Sequence, residues 1–430
     1  MRALKKYSLL SRDNFAIALT KLQIQLYSKT VQQKIINKLK NPETPFYFYD
    51  RAVIEKNTKT LLSNFERCRA EIFFAAKANT ALHILDIVKN QKLGAEVVSP
   101  GEIFVCLKAG FIPRQILYNN IARKTSDVMY AIKKGVLFFN FEAIDQALVL
   151  EQCARRLHKK INVFARINPG IFPATHPHLS TGAPSSKFGM EINQLSEIVK
   201  VIKHFKYAEF VGLHSHIGSQ ILSSTPFVKG VQKVSDLIEY FKNHRIKIEY
   251  VNLGGGFGVP YHPDEKALDF RPIVKTYRKL AETHGVKIFL EPGRFIVSNA
   301  GYIISEVISI KNRKGMPLYI LDAGMTENPR PALYKAYHHI EPLFRKTGRK
   351  KKTRVAGPLC ENTDEFGIYH LPELRIGDRV LIHNCGAYTR TMASNYNGRL
   401  LPPEYVIGKS VLKMIRKKQQ FPSLIQNERY

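Results

Sequence analysis

A lysine, Lys77, directly follows the apolar segment Phe73-Phe-Ala-Ala76. A lysine at the end of a buried strand loses hydration, which lowers its pKa and favours the free amine. The free amine is the form that imine formation with an aldehyde cofactor requires, although a single lysine is weak evidence for such a role. The ordinary alternative is a lysine that extends from a strand end into solvent.

Two further segments offer an anion site and a charged pair. Leu253-Gly-Gly-Gly-Phe-Gly258 presents backbone N–H groups without Cβ obstruction, which suits a phosphate, although glycine-rich turns also serve merely to bend a chain. Glu291-Pro-Gly-Arg294 holds a carboxylate and a guanidinium close together. A carboxylate beside a pyridine nitrogen keeps the ring protonated and electron-accepting, whereas a plain surface ion pair is the alternative.

Other reactive side chains stand beside turn-forming residues. His216 lies in Gly212-Leu-His-Ser-His-Ile-Gly-Ser-Gln220, and its imidazole has the shape to stack on a planar ring, although a buried structural histidine is the simpler interpretation. In the last third of the chain, the segments that carry Arg330, Cys360 and Tyr388 are each ordinary loops when taken alone. A lone cysteine is most often a small buried apolar residue, but the neighbouring glutamate argues against a fully apolar pocket for Cys360.

Alternation of short β-rich segments with segments of helical periodicity predicts the elements that position these residues. Segments of helical spacing include Gln194–Lys203 and Phe227–Lys242. The expected strands number eight: Ile72–Ala76, Ala95–Ser99, Gln115–Tyr118, Val136–Phe139, Asn162–Arg166, Phe210–His214, Glu249–Leu253 and Lys287–Glu291. Eight such units predict an α/β fold with a (β/α)8 barrel, in which chemistry takes place at the carboxyl ends of the strands. The candidate residues above follow the first, sixth, seventh and eighth of these segments.

Beyond residue 300 the helical alternation ends and β-type segments predominate, among them Tyr302–Ile310, Pro317–Leu321 and Arg379–His383. We therefore predict a basic N-terminal segment over 1–44, a barrel over 45–300 and a β-rich, sandwich-like or barrel-like domain over 301–430.

The composition indicates a globular protein without a membrane span. Five cysteines lack metal-ligand spacing, which favours reduced thiols and a cytoplasmic location. The formal net charge is +31, from 66 Lys and Arg against 35 Asp and Glu, so nucleic-acid binding has to be weighed. It is disfavoured, because the basic residues are spread along the chain and no recognition helix, zinc finger or aromatic RNA-binding motif is present.

Residues 1–42 contain a single acidic residue, Asp13, among many basic ones, with apolar residues at roughly helical spacing. A basic amphipathic helix packed on the protein's own surface is favoured over a membrane-surface anchor. The absence of a continuous apolar core after the first residues disfavours a secretory signal.

Several long motifs in order resemble the fold-type III pyridoxal-phosphate-dependent decarboxylases over about residues 45–410. They are Ala75–Asn79, Val97–Glu102, His214–Gln220, the triple glycine, Glu291–Arg294 and Cys360–Glu361. Further segments resemble the diaminopimelate decarboxylase branch, namely Thr175–Gly182, Ser186–Gly189, Asp322–Met325 and Met392–Gly398. Glu96, Pro100 and Leu400 depart from that branch's usual pattern, which leaves the distal end of the substrate open.

The resemblance implies a carboxy-lyase that uses pyridoxal 5'-phosphate, with Lys77 as the Schiff-base lysine, His216 stacked on the ring and Glu291 beside the ring nitrogen. It implies a set of residues around the rest of the cofactor: Ser219, Gly255, Gly256, Gly293, Arg294 and Tyr388. It also implies a set that binds the substrate: Arg294, Arg330, Tyr334, Glu361 and Tyr388. Cys360 is the expected proton donor.

The implied reaction converts meso-diaminopimelate to L-lysine and CO2, in a head-to-tail homodimer whose active sites are shared between subunits. One alternative keeps the chemistry and changes the substrate to a carrier-protein-bound amino acid or a siderophore precursor, and the positive surface would suit an acidic carrier. Another is a nucleic-acid or membrane-surface binder that merely retains the fold, against which the joint presence of Lys77, His216, Glu291 and Cys360 argues.

Overall fold

The computed structural model describes residues 42–171, 186–344, 346, 348–408 and 411–429. The chain divides into two compact units. The barrel unit contains Glu55–Gly258 and Leu268–Ile296, and the sheet unit contains the described residues up to Ile54, Val259–Ala267 and those from Val297 onward.

The strands and helices of the described residues follow in chain order. The strands are β1 (Phe46–Asp50), β2 (Ala70–Ala75), β3 (Gly94–Val97), β4 (Ile116–Tyr118), β5 (Phe138–Phe141), β6 (Ile161–Arg166), β7 (Ala208–His214), β8 (Tyr250–Asn252), β9 (Lys287–Leu290), β10 (Gly301–Arg313), β11 (Met316–Leu321), β12 (Ile340–Pro342), β13 (Lys351–Ala356), β14 (Glu365–Leu371), β15 (Arg379–Ile382), β16 (Glu404–Ile407) and β17 (Leu412–Arg416). The helices are α1 (Arg51–Phe65), α2 (Leu82–Asn90), α3 (Pro100–Lys108), α4 (Thr125–Lys133), α5 (Ile144–Arg156), α6 (Leu195–Ile202), α7 (Thr225–Asn243), α8 (Phe270–His284), α9 (Arg294–Val297), α10 (Arg330–Tyr334) and α11 (Pro422–Ile425).

A closed parallel barrel runs from β2 to β9, and β9 pairs with β2 to complete the circle. The predicted fold class is confirmed, and each of the eight predicted segments overlaps one barrel strand. The interior is filled by large apolar side chains from different strands, which is why these strands appear in the sequence as short apolar segments. The central cluster contains Phe73, Leu117, Phe164, Val211 and Phe289.

Helices of the barrel unit bury one apolar face, and capping residues set where they begin. In α7, Phe227, Val231, Val234, Ile238 and Phe241 are all buried, at the spacing of one helical face. The α3 helix begins with a proline, and the Ser99 hydroxyl accepts a hydrogen bond from the Glu102 backbone N–H. This N-cap stabilises the helix start and fixes the loop directly after β3.

The sheet unit holds a mixed sheet in the order β14-β13-β11-β10-β1-β16-β17, in which β15 pairs with β10 and with β12. Its core cluster joins Phe46 and Phe48 of β1 to Tyr302 and Ile304 of β10. The β-type segments predicted beyond residue 300 are confirmed by β10, β11 and β15. The β1 strand is an addition: it lies inside the range predicted for the barrel, yet it pairs antiparallel with β10 and parallel with β16.

Candidate active site at the mouth of the barrel

Lys77 lies in a short 3-10 turn, Ala76–Ala78, immediately after β2. Its Nζ is 2.5 Å from Oε2 of Glu96, which stands in β3 opposite Ala75. The Glu96 side chain is 1% exposed, whereas that of Lys77 is 41% exposed. The expectation of a dehydrated amine in an apolar mouth is therefore wrong, because a carboxylate faces the amine and solvent reaches it.

Glu291 follows β9 and is buried, and two side-chain amides bind one of its oxygens. Asn119, directly after β4, and Asn252, the last residue of β8, both donate to Oε1. Burial, and to a lesser extent the nearby Glu96 charge, raises the pKa of Glu291 from 4.5 to about 7. The sequence analysis missed both asparagines, although a polar residue at the end of a predicted barrel strand was the available signal.

His214 ends β7 and His216 follows it, and both imidazoles are neutral near pH 7. Burial lowers the pKa of His216 to about 3, with the charges of Arg166 and Lys77 adding to the effect. Burial likewise lowers the pKa of His214 well below its usual value. The Nδ1 of His216 accepts a hydrogen bond of 3.2 Å from the backbone N–H of Gly255, which orients the ring toward the glycine run.

The glycine run packs so closely on its neighbours that side chains would not fit. A Cβ at Gly254 would lie 2.3 Å from Nδ1 of His216, one at Gly255 would lie 2.2 Å from the Glu291 carbonyl oxygen, and one at Gly256 would lie 2.3 Å from the Gly218 carbonyl oxygen. Gly254 and Gly256 also have φ values of +63° and +92°, which favour glycine. The run therefore brings backbone N–H groups next to the loops that follow β7 and β9.

Arg294 supplies a cation beside this run. It is buried at the start of α9, directly after Gly293, and its Nη2 donates to Oγ of Ser219 at 3.1 Å. Contacts within the barrel unit thus place Lys77, His216, Ser219, Gly255, Gly256, Glu291, Gly293 and Arg294 on the loops at the carboxyl ends of its strands. A backbone cradle with an arginine suits a phosphate group, and a buried carboxylate with a neutral imidazole suits a planar nitrogen heterocycle.

The remaining predicted residues belong to the sheet unit. Arg330 is buried at the start of α10, and its guanidinium lies 5.3 Å from the ring centre of Tyr261 and 5.8 Å from that of Tyr334. Cys360 is exposed, and the adjacent Glu361 accepts a hydrogen bond from the Thr363 backbone N–H at 3.2 Å. Tyr388 is half-buried with φ of +57°. The predicted roles stay predictions for five residues: Arg330, Tyr334, Cys360, Glu361 and Tyr388.

Two predicted segments concern residues outside those described. Thr175–Gly182 and the basic N-terminal residues 1–41 both lie there. The neighbouring motif Ser186–Gly189 is described, and its Gly189 backbone N–H donates to Oε2 of Glu142 at 2.8 Å. The other oxygen of Glu142 accepts from Arg166 at 3.1 Å, so this motif is anchored to the end of β6.

Comparison with known proteins assigns the family. The family described as "Pyridoxal-dependent decarboxylase, pyridoxal binding domain" matches residues 51–298. The chain belongs to the pyridoxal-dependent decarboxylases. It is 33% identical over 384 residues to the diaminopimelate decarboxylase of Aquifex aeolicus, a match that covers 89% of this chain and 91% of that protein.

Solved decarboxylases share the fold over nearly the whole chain. The diaminopimelate decarboxylase from Helicobacter pylori, complexed with L-lysine, has a TM-score of 0.86 and 33% identity, covering 90% of this chain and 97% of that one. The enzyme from Methanocaldococcus jannaschii, in co-complex with L-lysine, has a TM-score of 0.85 and 30% identity, covering 93% and 94%. The predictions of a pyridoxal-phosphate cofactor and of carboxy-lyase activity are thereby confirmed.

As a decarboxylase of this family, the chain offers residues that fit its cofactor on structural grounds. The glycine positions leave room only for backbone, and Glu291 is a buried carboxylate held by neutral amides.

Among the described helices, none is long and apolar enough to cross a membrane.

Proposed function

We propose that this decarboxylase converts meso-diaminopimelate to L-lysine and CO2, with pyridoxal phosphate carried on Lys77. The observation that carries the proposal is the placement of Lys77, neutral His216, buried Glu291 and the glycine run on adjacent loops of one barrel. Support for the substrate comes from proteins named diaminopimelate decarboxylase that match nine-tenths of the chain. Two similar structures contain L-lysine, which is the product of the proposed reaction.

The barrel residues would hold the cofactor by complementary chemistry. The backbone N–H of Gly256, with Ser219 and Arg294, would bind the phosphate, while Gly255, whose N–H donates to His216, and Gly293 leave space for it to approach. His216 would stack on the ring, its orientation fixed by the Gly255 backbone N–H. When bound, the cofactor supplies an electron sink for the electron pair that remains when CO2 leaves.

Glu291 is suited to hold a proton at the ring nitrogen. Asn119 and Asn252 fix one carboxylate oxygen in place, so the carboxylate is oriented before any ligand binds. Burial makes its charge costly in the cofactor-free protein, and a protonated ring nitrogen would relieve that cost by forming an ion pair. The same burial therefore favours binding of the cofactor in its protonated form.

Glu96 is suited to control the proton on Lys77. Its buried carboxylate lies 2.5 Å from the Lys77 amine and stabilises the ammonium form. The pair therefore holds a proton at Nζ of Lys77, the atom that would carry the cofactor.

Residues of the sheet unit complete the proposal for the substrate, on the resemblance alone. Arg330, with Tyr334 and Tyr388, would bind the distal carboxylate, Glu361 the distal ammonium, and Cys360 would return a proton to the reacting carbon. We propose that Cys360, Glu361 and Tyr388 act on the barrel of a second copy in a homodimer. A cytoplasmic location is proposed because all five cysteines are free thiols.

A substrate panel tests the proposed function directly. The purified protein, reconstituted with pyridoxal phosphate, is incubated with meso-diaminopimelate, L-lysine or L-ornithine, and both CO2 and the amine product are measured. We expect diaminopimelate to be preferred over the other two by about a thousandfold in kcat/KM, because a ligand without a distal carboxylate loses the charge-assisted hydrogen bonds that Arg330 would donate to it.

The outcomes of this panel separate the candidate functions. CO2 from diaminopimelate together with L-lysine supports the proposal. If diaminopimelate is inert while a carrier-bound amino acid is decarboxylated, the substrate assignment is wrong, but the assignment as a pyridoxal-phosphate-dependent decarboxylase stands. If no substrate releases CO2 although the cofactor is bound at Lys77, the proposal of catalysis is wrong.

A further inference from the structure

Two histidines and a glutamate converge on one face of the sheet unit, where β12 pairs with β15. Side chains alternate along a strand, so His339 and Glu341, two residues apart, share a face. The backbone N–H of His383 donates to the His339 carbonyl at 2.9 Å, which places His383 opposite His339 across the ladder. One potential ligand atom from each of the three side chains lies within 4.8 Å of the other two.

The three side chains are held by their surroundings. The Nε2 of His383 lies 2.8 Å from Oε1 of Glu341, and the ring centres of His383 and His339 are 5.1 Å apart. On its other side His383 packs edge-on against Tyr302 of the core, at 5.3 Å between ring centres. The His383 side chain is 8% exposed and that of Glu341 is 26% exposed, so the cluster opens to solvent on the glutamate side.

The outer contacts of His339 favour a ligand role for its ring. Its Nδ1 lies 3.3 Å from the hydroxyl of Tyr337, a contact that orients the imidazole and directs the other nitrogen away from Tyr337. Tyr337 is itself fixed by stacking on Tyr369 at 5.5 Å.

We propose that His339, Glu341 and His383 form a binding site for a divalent transition-metal ion, with Zn²⁺ as the expected ligand. Two imidazoles and one carboxylate form a donor set that zinc accepts, at about 2.0–2.2 Å from each ligand atom, with water in a fourth position. Nitrogen donors disfavour Mg²⁺ and Ca²⁺, which prefer sites made of oxygen ligands. This site shares no residue with the proposed decarboxylase site.

Local charges set the expected strength of the site. Lys350 and His262 lie close enough to act on His339, and His262 is itself 3.4 Å from a carboxylate oxygen of Asp264. Bound zinc would be opposed by Lys350 and favoured by Glu341. The ion would also link β12 to β15, which pair over only three residue pairs, so metal binding is expected to stabilise this ladder.

Calorimetric titration of the untagged holoenzyme with ZnCl2, after removal of metals with a chelator, tests the site. We expect one strong equivalent per chain. His339→Gln and Glu341→Gln should each weaken that equivalent by at least about tenfold, since each removes one of three ligands. His370→Gln is the matched control, because His370 is an exposed histidine on β14 and its loss should leave the zinc affinity unchanged.

The same titrations can overturn the site. Wild-type protein that takes up no zinc at micromolar concentrations contradicts the proposal, as does an unchanged zinc affinity in Glu341→Gln. A strong equivalent that survives both variants but disappears in Cys360→Ser assigns the metal to the exposed thiol and also contradicts it. Glu341→Gln keeps the side-chain volume and a hydrogen bond to His383, and its circular dichroism spectrum checks that the fold persists.

Discussion

The mouth of the barrel and the interior of the sheet unit both bury carboxylates, but they compensate the charge differently. In the sheet unit, Glu404 is fully buried, accepts a hydrogen bond of 2.8 Å from the Tyr49 hydroxyl and is paired with Arg390 and Arg416. In the barrel, Glu291 is held by two neutral amides, and the imidazole of His214, 3.8 Å away, is neutral and supplies no compensating charge.

This difference separates a structural carboxylate from a functional one. Glu404 is paired with arginines within the fold. Burial raises the pKa of Glu291 to about 7, and among the described residues of the barrel no arginine or lysine donates a hydrogen bond to it. A buried charge without a partner is costly, and proteins retain such groups where a ligand or a reaction uses them. Substitutions in the two regions should therefore have opposite consequences for activity and stability.

The largest effect is expected for Glu291→Gln. The variant removes the charge that would hold a proton at the ring nitrogen, while Gln keeps the volume and can hydrogen-bond to the same amides. We expect kcat to fall by about 10²–10³-fold, the magnitude typical of losing one preorganised electrostatic contact. Steady-state kinetics of cofactor-saturated protein measures this, and an unchanged kcat would mean that Glu291 has no role in the reaction.

Glu404→Gln should show the converse behaviour. Loss of the charge leaves Arg390 and Arg416 without their buried partner, which we expect to cost about 2–3 kcal/mol in the free energy of unfolding. Activity per folded molecule should stay within about twofold of the wild type. Urea unfolding and the assay of the folded fraction test both parts, and a large loss of kcat without a loss of stability would erase the contrast between the two regions.

The stability of the cofactor-free protein should depend on pH through Glu291. In the cofactor-free protein the pKa of Glu291 is raised from 4.5 to about 7, so the folded state keeps a proton that the unfolded state releases. The resulting stabilisation is fully present below pH 4.5 and is lost as the pH rises through 7. Relative to Glu291→Gln, the wild type should lose about 3 kcal/mol over this range.

Chemical unfolding at several pH values gives this difference. Glu102→Gln is a useful comparison, because burial raises the pKa of Glu102 to about 7 as well, and it should remove a dependence of the same sign. Parallel curves for the wild type and Glu291→Gln would show that Glu291 is ionised in the folded, cofactor-free protein.

The smallest effect is expected at Glu96. Glu96→Gln removes the carboxylate from the Lys77 amine and should lower kcat by about tenfold, less than the roughly 10²–10⁴-fold of a general acid-base group, because Glu96 acts only through Lys77. Glu96→Asp keeps the charge at a longer distance and should lower kcat less. The pH profile of kcat separates a proton-handling role from a packing role, since only the former shifts when Glu96→Gln is made.

The parts of this fold that sequence predicted are those fixed by local pattern. The barrel strands are short apolar segments because both faces of each strand are buried, and residues at their carboxyl ends share one face of any such barrel. The β1 strand was missed because its partners, β10 and β16, are distant in sequence, and pairing of that kind leaves no local pattern.

The contacts within the site are set by the register of the paired strands, and no sequence motif indicated them. Glu96 was noted only as a departure from the usual residue, and its approach to Lys77 follows from the pairing of β2 with β3. Asn119 and Asn252 belong to no recognised motif, so their shared contact with Glu291 required the closed barrel. The same holds for His339, Glu341 and His383, which the β12–β15 ladder brings together.

The central claim, that the mouth of the barrel is built around a cofactor on Lys77, is tested most directly by reductive labelling. The holoenzyme is treated with borohydride, digested, and the peptide that carries the reduced cofactor is identified by mass spectrometry. We predict one labelled site per chain, at Lys77, and no label in Lys77→Ala, whereas Lys247→Ala, a change at an exposed lysine, should label as the wild type does. A label on a different lysine, or one that persists in Lys77→Ala, would contradict the account.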